Sequence, residues 1–348
     1  MKFYQNNMFL EHSKMNYFFL LMLMFSTMIT INSSSWIGAW MGMEISLLSF
    51  IPLMMMKYKM FESSNSMMIY FMIQASSSCF LLFFTLMNKM EFFFYKIDLM
   101  NYFIQFSLLM KIGAAPFHWW TPKISNLLNW KICFILLTWQ ESNPLIMISL
   151  AKFSNLIYYS IIISLMIGSI IGLNQASLKL IITYSSINHI SWLLISMMLN
   201  FYIFMIYFII YIITILLICL FLNNFNINYM NQMFENNYIK KYMWKFYLIS
   251  LFFSLKEIPP MLGFFPKFKI GLLNSKLDDF RCISAFIIFS LITLLFYMYP
   301  MMSSLILYKM NSKWNLNKIK LLNYLFLILT TNMLLSMIMI LPLTFSKN

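Results

Sequence analysis

The chain has 348 residues, of which 61% are hydrophobic, 19% aromatic and only 10% charged. A soluble protein of this length carries about 85 charged residues, whereas this chain has 24 basic and 10 acidic ones. The composition excludes a water-soluble globule. The net charge of +14 does not indicate a nucleic-acid-binding protein, because the basic residues stand singly or in small groups between apolar segments.

Apolar runs of about 17–25 residues, long enough to cross a bilayer, recur eleven times along the chain. They predict an all-α polytopic membrane protein forming one continuous membrane domain over residues 1–348. The predicted spans are 15–31, 36–56, 67–87, 99–117, 127–151, 156–173, 178–198, 201–222, 243–273, 283–307 and 321–343.

Two of these spans are interrupted by helix-breaking residues. The span 127–151 contains a polar run ahead of Pro144, and 243–273 contains three prolines and Gly263. We therefore expect breaks around 140–144 and 256–266. Such breaks are tolerated at membrane depth only where protein or water satisfies the freed backbone, so they predict an internal polar path.

The distribution of basic residues predicts the orientation of the chain. An odd number of crossings places the termini on opposite sides, and the loops on the side of the N-terminus hold thirteen Lys, against six Lys and Arg on the other side. Because basic residues are enriched in loops that face the inner compartment, we expect the N-terminus there.

The usage of amino acids indicates which genome encodes the chain. Met occurs 35 times, Arg once and Val not at all, as in an AT-rich gene that reads ATA as Met. This usage indicates a mitochondrial gene.

The cysteines and histidines are scattered, and no metal-ligand spacing or nucleotide-binding motif is present. We therefore expect no metal or cofactor on this chain.

Eight charged residues lie within the predicted spans, where each costs at least about 2.5–3.5 kcal/mol without a partner, a water or a role. Lys131 and Lys269 lie near span ends and can extend their amines to the interface. The other six are Glu44, Lys111, Glu141, Lys256, Glu257 and Lys267.

Glu44 and Lys111 are the deepest of these residues. At 1.5 Å per residue they lie roughly 12 Å and 18 Å into spans entered from the same side, so an ion pair between neighbouring helices is open to them. Burial favours the neutral forms, whereas opposite charge favours the ionised forms, so a change at one group alters the proton affinity of the other. A static salt bridge that only fixes packing is the alternative.

Three further residues extend this pattern toward the helix breaks. Glu141 and Lys267 lie beside the two predicted breaks, where trapped water could continue a proton relay. His189 lies in a span with several hydroxyl side chains. It could bridge Glu141 and Lys267. A hydrogen-bonded packing histidine is an equally good interpretation of His189.

Five sequence blocks resemble one family. They are Trp40 with MGMEISLLSFIP, MKIGAAPFHWWTPK at 110–123, LTWQ at 137–140, GLNQASLKLIITYSSINHISW at 172–192 and PPMLGFFPKF at 259–268. In these blocks the chain resembles the chain 2 family of mitochondrial NADH–ubiquinone oxidoreductase, the antiporter-like membrane subunits of respiratory complex I. The blocks follow the family's order from about residue 36 to 270.

The resemblance implies a role in the proton-pumping membrane arm of an NADH:ubiquinone reductase in the mitochondrial inner membrane, beside other membrane-arm subunits and phospholipids. NADH, FMN, iron–sulfur clusters and ubiquinone would be used by other subunits, and this chain would bind none of them. On the family's pattern, Glu44 and Lys111 look like its glutamate–lysine pair and Lys267 like the lysine of the second broken helix. His118 lies in the family's A-P-F-H block, near the first lysine.

The chain departs from the family at two places. Glu141 stands where related chains have the central lysine, and Lys256 and Glu257 stand where they usually have two glycines. We expect Lys256 or a neighbour to supply the missing cation, so that Glu141 titrates within an acid–base pair. Transfer through a carboxylate alone, or weaker pumping, is the competing interpretation.

Two other functions remain open at this stage. An autonomous cation/proton antiporter would have the same broken helices, and a non-conducting scaffold would use buried charges only for packing specificity.

Overall fold

The computed structural model describes residues 2–55, 60–89, 97–151, 153–232, 250–256, 261, 263–276 and 280–306. Within these ranges the regular structure is helical, apart from a single bridge between Ser177 and Tyr229. The all-α prediction is therefore confirmed. The predicted span 321–343 lies outside the described residues.

The chain divides into two compact units at Ser160. In the first unit, α1 (Lys2–Asn32), α2 (Trp36–Met55), α3 (Met60–Lys89) and α4 (Ile97–Ile112) pack each against the next. A short 3₁₀ turn (Phe117–Trp119) leads into α5 (Trp120–Leu127), and α6 (Trp130–Leu137) and α7 (Trp139–Leu150) follow. Helix α7 packs against α1, α2 and α4.

Helix α8 (Asn155–Gly172) begins before the division and continues into the second unit. There α9 (Leu178–Leu199) packs against α10 (Phe201–Phe225), and both contact α11 (Phe264–Lys276). Residues 250–256 are helical, and α12 (Phe280–Ile306) packs against α11. The helical segment 250–256 ends, and α11 begins at Phe264, within the predicted break at 256–266.

Many polar side chains are buried beside the apolar core, and many large apolar side chains are exposed. Ser26, Thr30 and Gln105 are fully buried, whereas Leu21 is 67% and Leu48 63% exposed. Many of the buried hydroxyl groups donate to a backbone carbonyl one turn earlier, as Ser26 does to Leu23 at 2.6 Å. This pattern suits a bilayer, where outer apolar groups meet lipid and inner polar groups need partners.

Six described helices are long and apolar enough to span a membrane. These are α2, α8, α9 and α10, together with residues 15–32 of α1 and 64–89 of α3. The predicted spans 99–117 and 127–151 are interrupted in the structure. Their helices, α4 in the first and α6 and α7 in the second, are each too short to cross a bilayer alone.

The structure breaks the predicted span 99–117 and places another break away from its predicted position. The predicted span 99–117 is interrupted because α4 ends at Gly113, whose φ of +77° belongs to the left-handed conformation that ends helices. The other break lies at Thr138 rather than at 140–144. Pro144 sits inside α7 without ending it.

Candidate proton-transfer sites

Lys111 occupies the last turn of α4, just before the break at Gly113, and its side chain is only 6% exposed. A cation is favoured at this position because the C-terminal end of a helix carries partial negative charge. Glu44 of α2 interacts electrostatically with Lys111. The structure places the two residues within electrostatic range of each other, and both their ion pair and their role in proton transfer stay predictions.

The break leaves the last backbone carbonyl groups of α4 without helical partners, and side chains replace those partners. The Gln74 Nε2 group of α3 donates to the Lys111 carbonyl at 3.0 Å, and the indole of Trp120 donates to the Met110 carbonyl at 3.3 Å. Both bonds hold the end of α4 that carries Lys111. Sequence reasoning did not single out Gln74.

The Glu44 carboxylate is incompletely satisfied within the described part of the chain. Its Oε1 atom is buried and has no hydrogen-bond partner there. Tyr70 of α3 lies within electrostatic range of this carboxylate. Since buried polar groups are nearly always hydrogen-bonded, Oε1 is a polar atom whose hydrogen-bonding capacity the described residues do not meet.

Glu141 lies in the first turn of α7, immediately after the break at Thr138, and is 4% exposed. A carboxylate is favoured there because the N-terminal end of a helix carries partial positive charge. Its Oε2 atom is buried and unpartnered among the described residues. Glu141 belongs to the first unit and Lys256 to the second, so the expected pairing of these two residues stays a prediction.

His118 lies in the 3₁₀ turn that follows the first break, seven residues after Lys111. Its ring is half-buried, and its backbone carbonyl accepts a hydrogen bond from Thr121 Oγ1 at 2.9 Å. The Nδ1 atom is buried with no partner in the described part of the chain. The histidine is therefore placed beside the break, with one polar atom that can take a further partner.

In the second unit, His189 lies between two lysines. Its Nδ1 atom is 2.8 Å from the Tyr207 hydroxyl, and its ring also bonds the Leu255 backbone. Lys256 and Lys267 both act electrostatically on this ring. The structure therefore groups three predicted site residues, which the sequence distributes over about eighty positions.

The two lysines are held by different contacts. The Lys267 Nζ atom lies 4.6 Å from the ring centroid of Trp192, one turn after His189 on α9. Lys256 donates to the Ser290 carbonyl at 2.5 Å and to the Thr293 hydroxyl, both on α12. The Lys267 amine therefore contacts an aromatic face, whereas the Lys256 amine has neutral oxygens as partners.

Two other lysines, Lys131 and Lys269, lie within predicted spans. Lys131 of α6 is exposed, as expected for a side chain that reaches the interface, and Lys269 lies over the Phe265 ring. Within the residues that the structure describes, no group of three or more His, Cys, Asp or Glu could hold a metal ion.

Comparisons with known proteins agree with this architecture. The chain matches the NADH:quinone oxidoreductase/Mrp antiporter transmembrane family over residues 33–293. It is 38% identical over 305 residues to NADH-ubiquinone oxidoreductase chain 2 of Anopheles gambiae, covering 86% of this chain and 89% of that protein. It is 39% identical over 320 residues to the protein of the same name from Aedes aegypti, covering 91% and 94%.

The fold is also similar to that of a solved chain in respiratory complex I from Thermus thermophilus with bound aureothin. The TM-score is 0.79 at 15% identity, and the match covers 94% of this chain and 78% of that one. At 15% identity this similarity shows the fold alone. The two insect proteins, at 38% and 39% identity, show that the sequences are related.

Proposed function

Because the chain belongs to the NADH:quinone oxidoreductase/Mrp antiporter family and, within it, to the NADH-ubiquinone oxidoreductase chain 2 proteins, we propose that it carries protons from the mitochondrial matrix to the intermembrane space. It does so as a multi-pass subunit of the inner membrane, surrounded by other membrane-arm subunits of complex I and by phospholipids. Its N-terminus faces the matrix and its C-terminus the intermembrane space.

One observation carries this proposal: Lys111 is buried at a helix break and lies within electrostatic range of Glu44. A buried amine binds a proton more tightly when a nearby carboxylate is ionised, and releases it when that charge is removed or moved away. The pair can therefore load and unload a proton in response to a change elsewhere. Intramembrane ionisable groups usually mark such ion pathways.

The other buried titratable groups continue the path. Glu141 carries the central transfer step in place of the family's lysine. In the second unit, His189 and Lys267 pass the proton outward. Lys256 acts on the same histidine, and His118 can assist at the first break. Quinone reduction in partner subunits supplies the energy, and NADH, flavin and iron–sulfur chemistry also occur in those subunits.

Replacement of Lys111 by Met tests the proposal in the assembled complex, reconstituted in proteoliposomes. We expect assembly to be retained while pumping-coupled NADH oxidation and the number of protons moved per electron both fall. Lys131→Met is the matched control, since it removes the same charge from an exposed position. Unchanged rate and stoichiometry in Lys111→Met would overturn the proposal.

The same preparation separates the proposal from an autonomous antiporter. A chain that exchanges cations for protons by itself would do so in liposomes without the NADH-oxidising assembly. We expect no such exchange from the purified chain, and we expect the chain to copurify with the oxidoreductase.

A further inference from the structure

The break after α4 is closed by hydrogen bonds that come from two other helices. Hinges in proteins commonly lie at the ends of helices, so a break beside a titratable group suggests a point of movement. Here, however, Gln74 of α3 and Trp120 of α5 each donate to a carbonyl group of the last turn of α4. We infer that these two residues are positioning residues, which hold Lys111 in place so that its proton affinity changes through nearby charges and not through movement of the break. This inference rests on the proposed function.

Three successive carbonyl groups at the end of α4 have partners. The Leu109 carbonyl accepts from two backbone amide groups of the break itself, at 3.0 and 3.3 Å. The next two carbonyl groups, those of Met110 and Lys111, accept from Trp120 Nε1 at 3.3 Å and from Gln74 Nε2 at 3.0 Å. Because the two side-chain donors belong to different helices, the last turn of α4 cannot pivot about a single bond.

The two donors are also connected to each other through Tyr70. This residue lies one turn before Gln74 on α3, and its ring centroid is 6.2 Å from that of Trp120, in an edge contact. A closed set of contacts therefore joins α3 to α4, α4 to α5, and α5 back to α3. All three side chains are buried, so a hydrogen bond that is lost there is not replaced by bulk water.

The connection between α4 and α5 is packed against α4 at two points. A Cβ atom on Gly113 would lie 2.5 Å from Thr121 Cγ2 and 3.1 Å from Trp120 Cε2. The absence of a side chain at position 113 thus allows α5 to approach the end of α4. Farther back along α4, the Phe106 ring lies 4.6 Å from the Phe117 ring, in an edge contact. The turn after the break is therefore held by packing as well as by hydrogen bonds.

Helix α3 also supports the second break of the first unit. The Tyr70 hydroxyl donates to Gln140 Oε1 at 3.1 Å, in the first turn of α7, where the next residue is Glu141. The helix end that carries Lys111 and the helix start that carries Glu141 are therefore both bonded to one face of α3. A common support keeps the separation between these two backbone positions constant.

A fixed support is useful for proton transfer because the reaction depends steeply on distance. The donor and the acceptor must lie within about 2.6–3.2 Å of each other, or be joined by one water. A displacement of about 1 Å can cost a factor of about 100 in rate. If Lys111 is held at its backbone, a change in nearby charge alters its proton affinity without moving the amine out of reach of its partners.

Two variants in the reconstituted complex test this role. Gln74→Met and Trp120→Phe each remove one donor and keep most of the side-chain volume. We expect both to lower proton-coupled turnover roughly two- to tenfold, the scale of one hydrogen bond, and to lower the number of protons moved per electron.

Thr85→Val is the matched control for these variants. Thr85 lies on α3 three turns after Gln74, about 16 Å along the helix, and its buried hydroxyl donates to the Leu82 carbonyl at 2.9 Å. The substitution removes a buried donor of the same helix at nearly constant shape, so the ratio of protons to electrons should stay at the wild-type value. A ratio that is also unchanged in Gln74→Met and Trp120→Phe would overturn the inference, even if both variants unfold at a lower temperature.

Hydrogen exchange of the backbone amides in the turn tests whether the break moves. The amides of Gly113, Ala114 and Phe117 each donate to a carbonyl group of the turn or of α4. In the wild-type complex we expect them to exchange equally fast at rest and during NADH oxidation. In Gln74→Met and Trp120→Phe they should exchange roughly two- to tenfold faster. Faster exchange in the wild type during turnover would show a moving break and would contradict the inference. If Trp120→Phe fails to assemble, Gln74→Met tests the same turn.

Lys111→Met separates this inference from the proposed function. If it abolishes pumping while Gln74→Met and Trp120→Phe pump like the wild type, the positioning role is wrong and the proposed function stands. If Lys111→Met has no effect, the proposed function fails.

Discussion

Replacement of Gly42 by Ala should disturb the contact between α1 and α2. A Cβ atom at position 42 would lie 2.5 Å from Thr30 Cγ2 and 3.1 Å from the Ser26 carbonyl oxygen. Carbon atoms in contact sit about 3.5–4.0 Å apart, so Thr30 or its helix has to move by about 1 Å. Close approach of backbones at small residues is a principal source of helix association in membranes.

Movement of Thr30 has a second cost. Its hydroxyl shares one hydrogen between the Thr27 carbonyl at 2.8 Å and Asn143 Oδ1 of α7 at 3.1 Å, so displacement also weakens a contact two residues from Glu141. Overpacking costs about 1–3 kcal/mol and loss of the hydrogen bond about 0.5–1.5 kcal/mol. We expect a loss of about 2–4 kcal/mol in the free energy of unfolding.

The assay is the midpoint of thermal unfolding of the assembled complex, followed together with proton-coupled turnover. Gly271→Ala is the matched control, because a Cβ there meets no atom within 4 Å and α11 gains a better helix former. The control should unfold at or slightly above the wild-type midpoint. A Gly42→Ala variant as stable as Gly271→Ala would refute the packing argument.

Three further substitutions test single contacts. Gln74→Met leaves the Lys111 carbonyl without its donor and should destabilise the complex by about 1–3 kcal/mol, measured by thermal unfolding. Trp192→Leu removes the aromatic face under Lys267 and should lower pumping more than Trp192→Phe does, which keeps a weaker face; equal losses would contradict a cation–π role. Glu141→Gln keeps the shape but cannot titrate, so the ratio of protons to electrons should fall while assembly persists; an unchanged ratio would exclude Glu141 from the path.

Much of the helical framework follows from local sequence properties. A helix that is apolar enough to span a bilayer satisfies its own backbone, so its existence depends little on distant residues. The predicted span 178–198 therefore corresponds closely to α9 (Leu178–Leu199), and 201–222 to α10 (Phe201–Phe225).

Breaks were harder to place because proline alone does not determine them. Pro144 was expected to mark a break, but it lies in α7 after a new helix has already begun at Trp139. The break after Ile112 follows from the left-handed backbone at Gly113, and Gly113 and Pro116 together were a usable signal.

The sequence by itself determined the class of protein and the approximate positions of its membrane helices. It also identified the charged residues within those helices, each of which requires a partner or a function. Those properties depend on composition and on short-range periodicity. The tertiary structure alone decided that Gln74 holds the end of α4 and that Tyr70 bonds Gln140. Each of these contacts joins different helices, and the direction in which a helix presents a given side chain to its neighbours depends on how the helices pack.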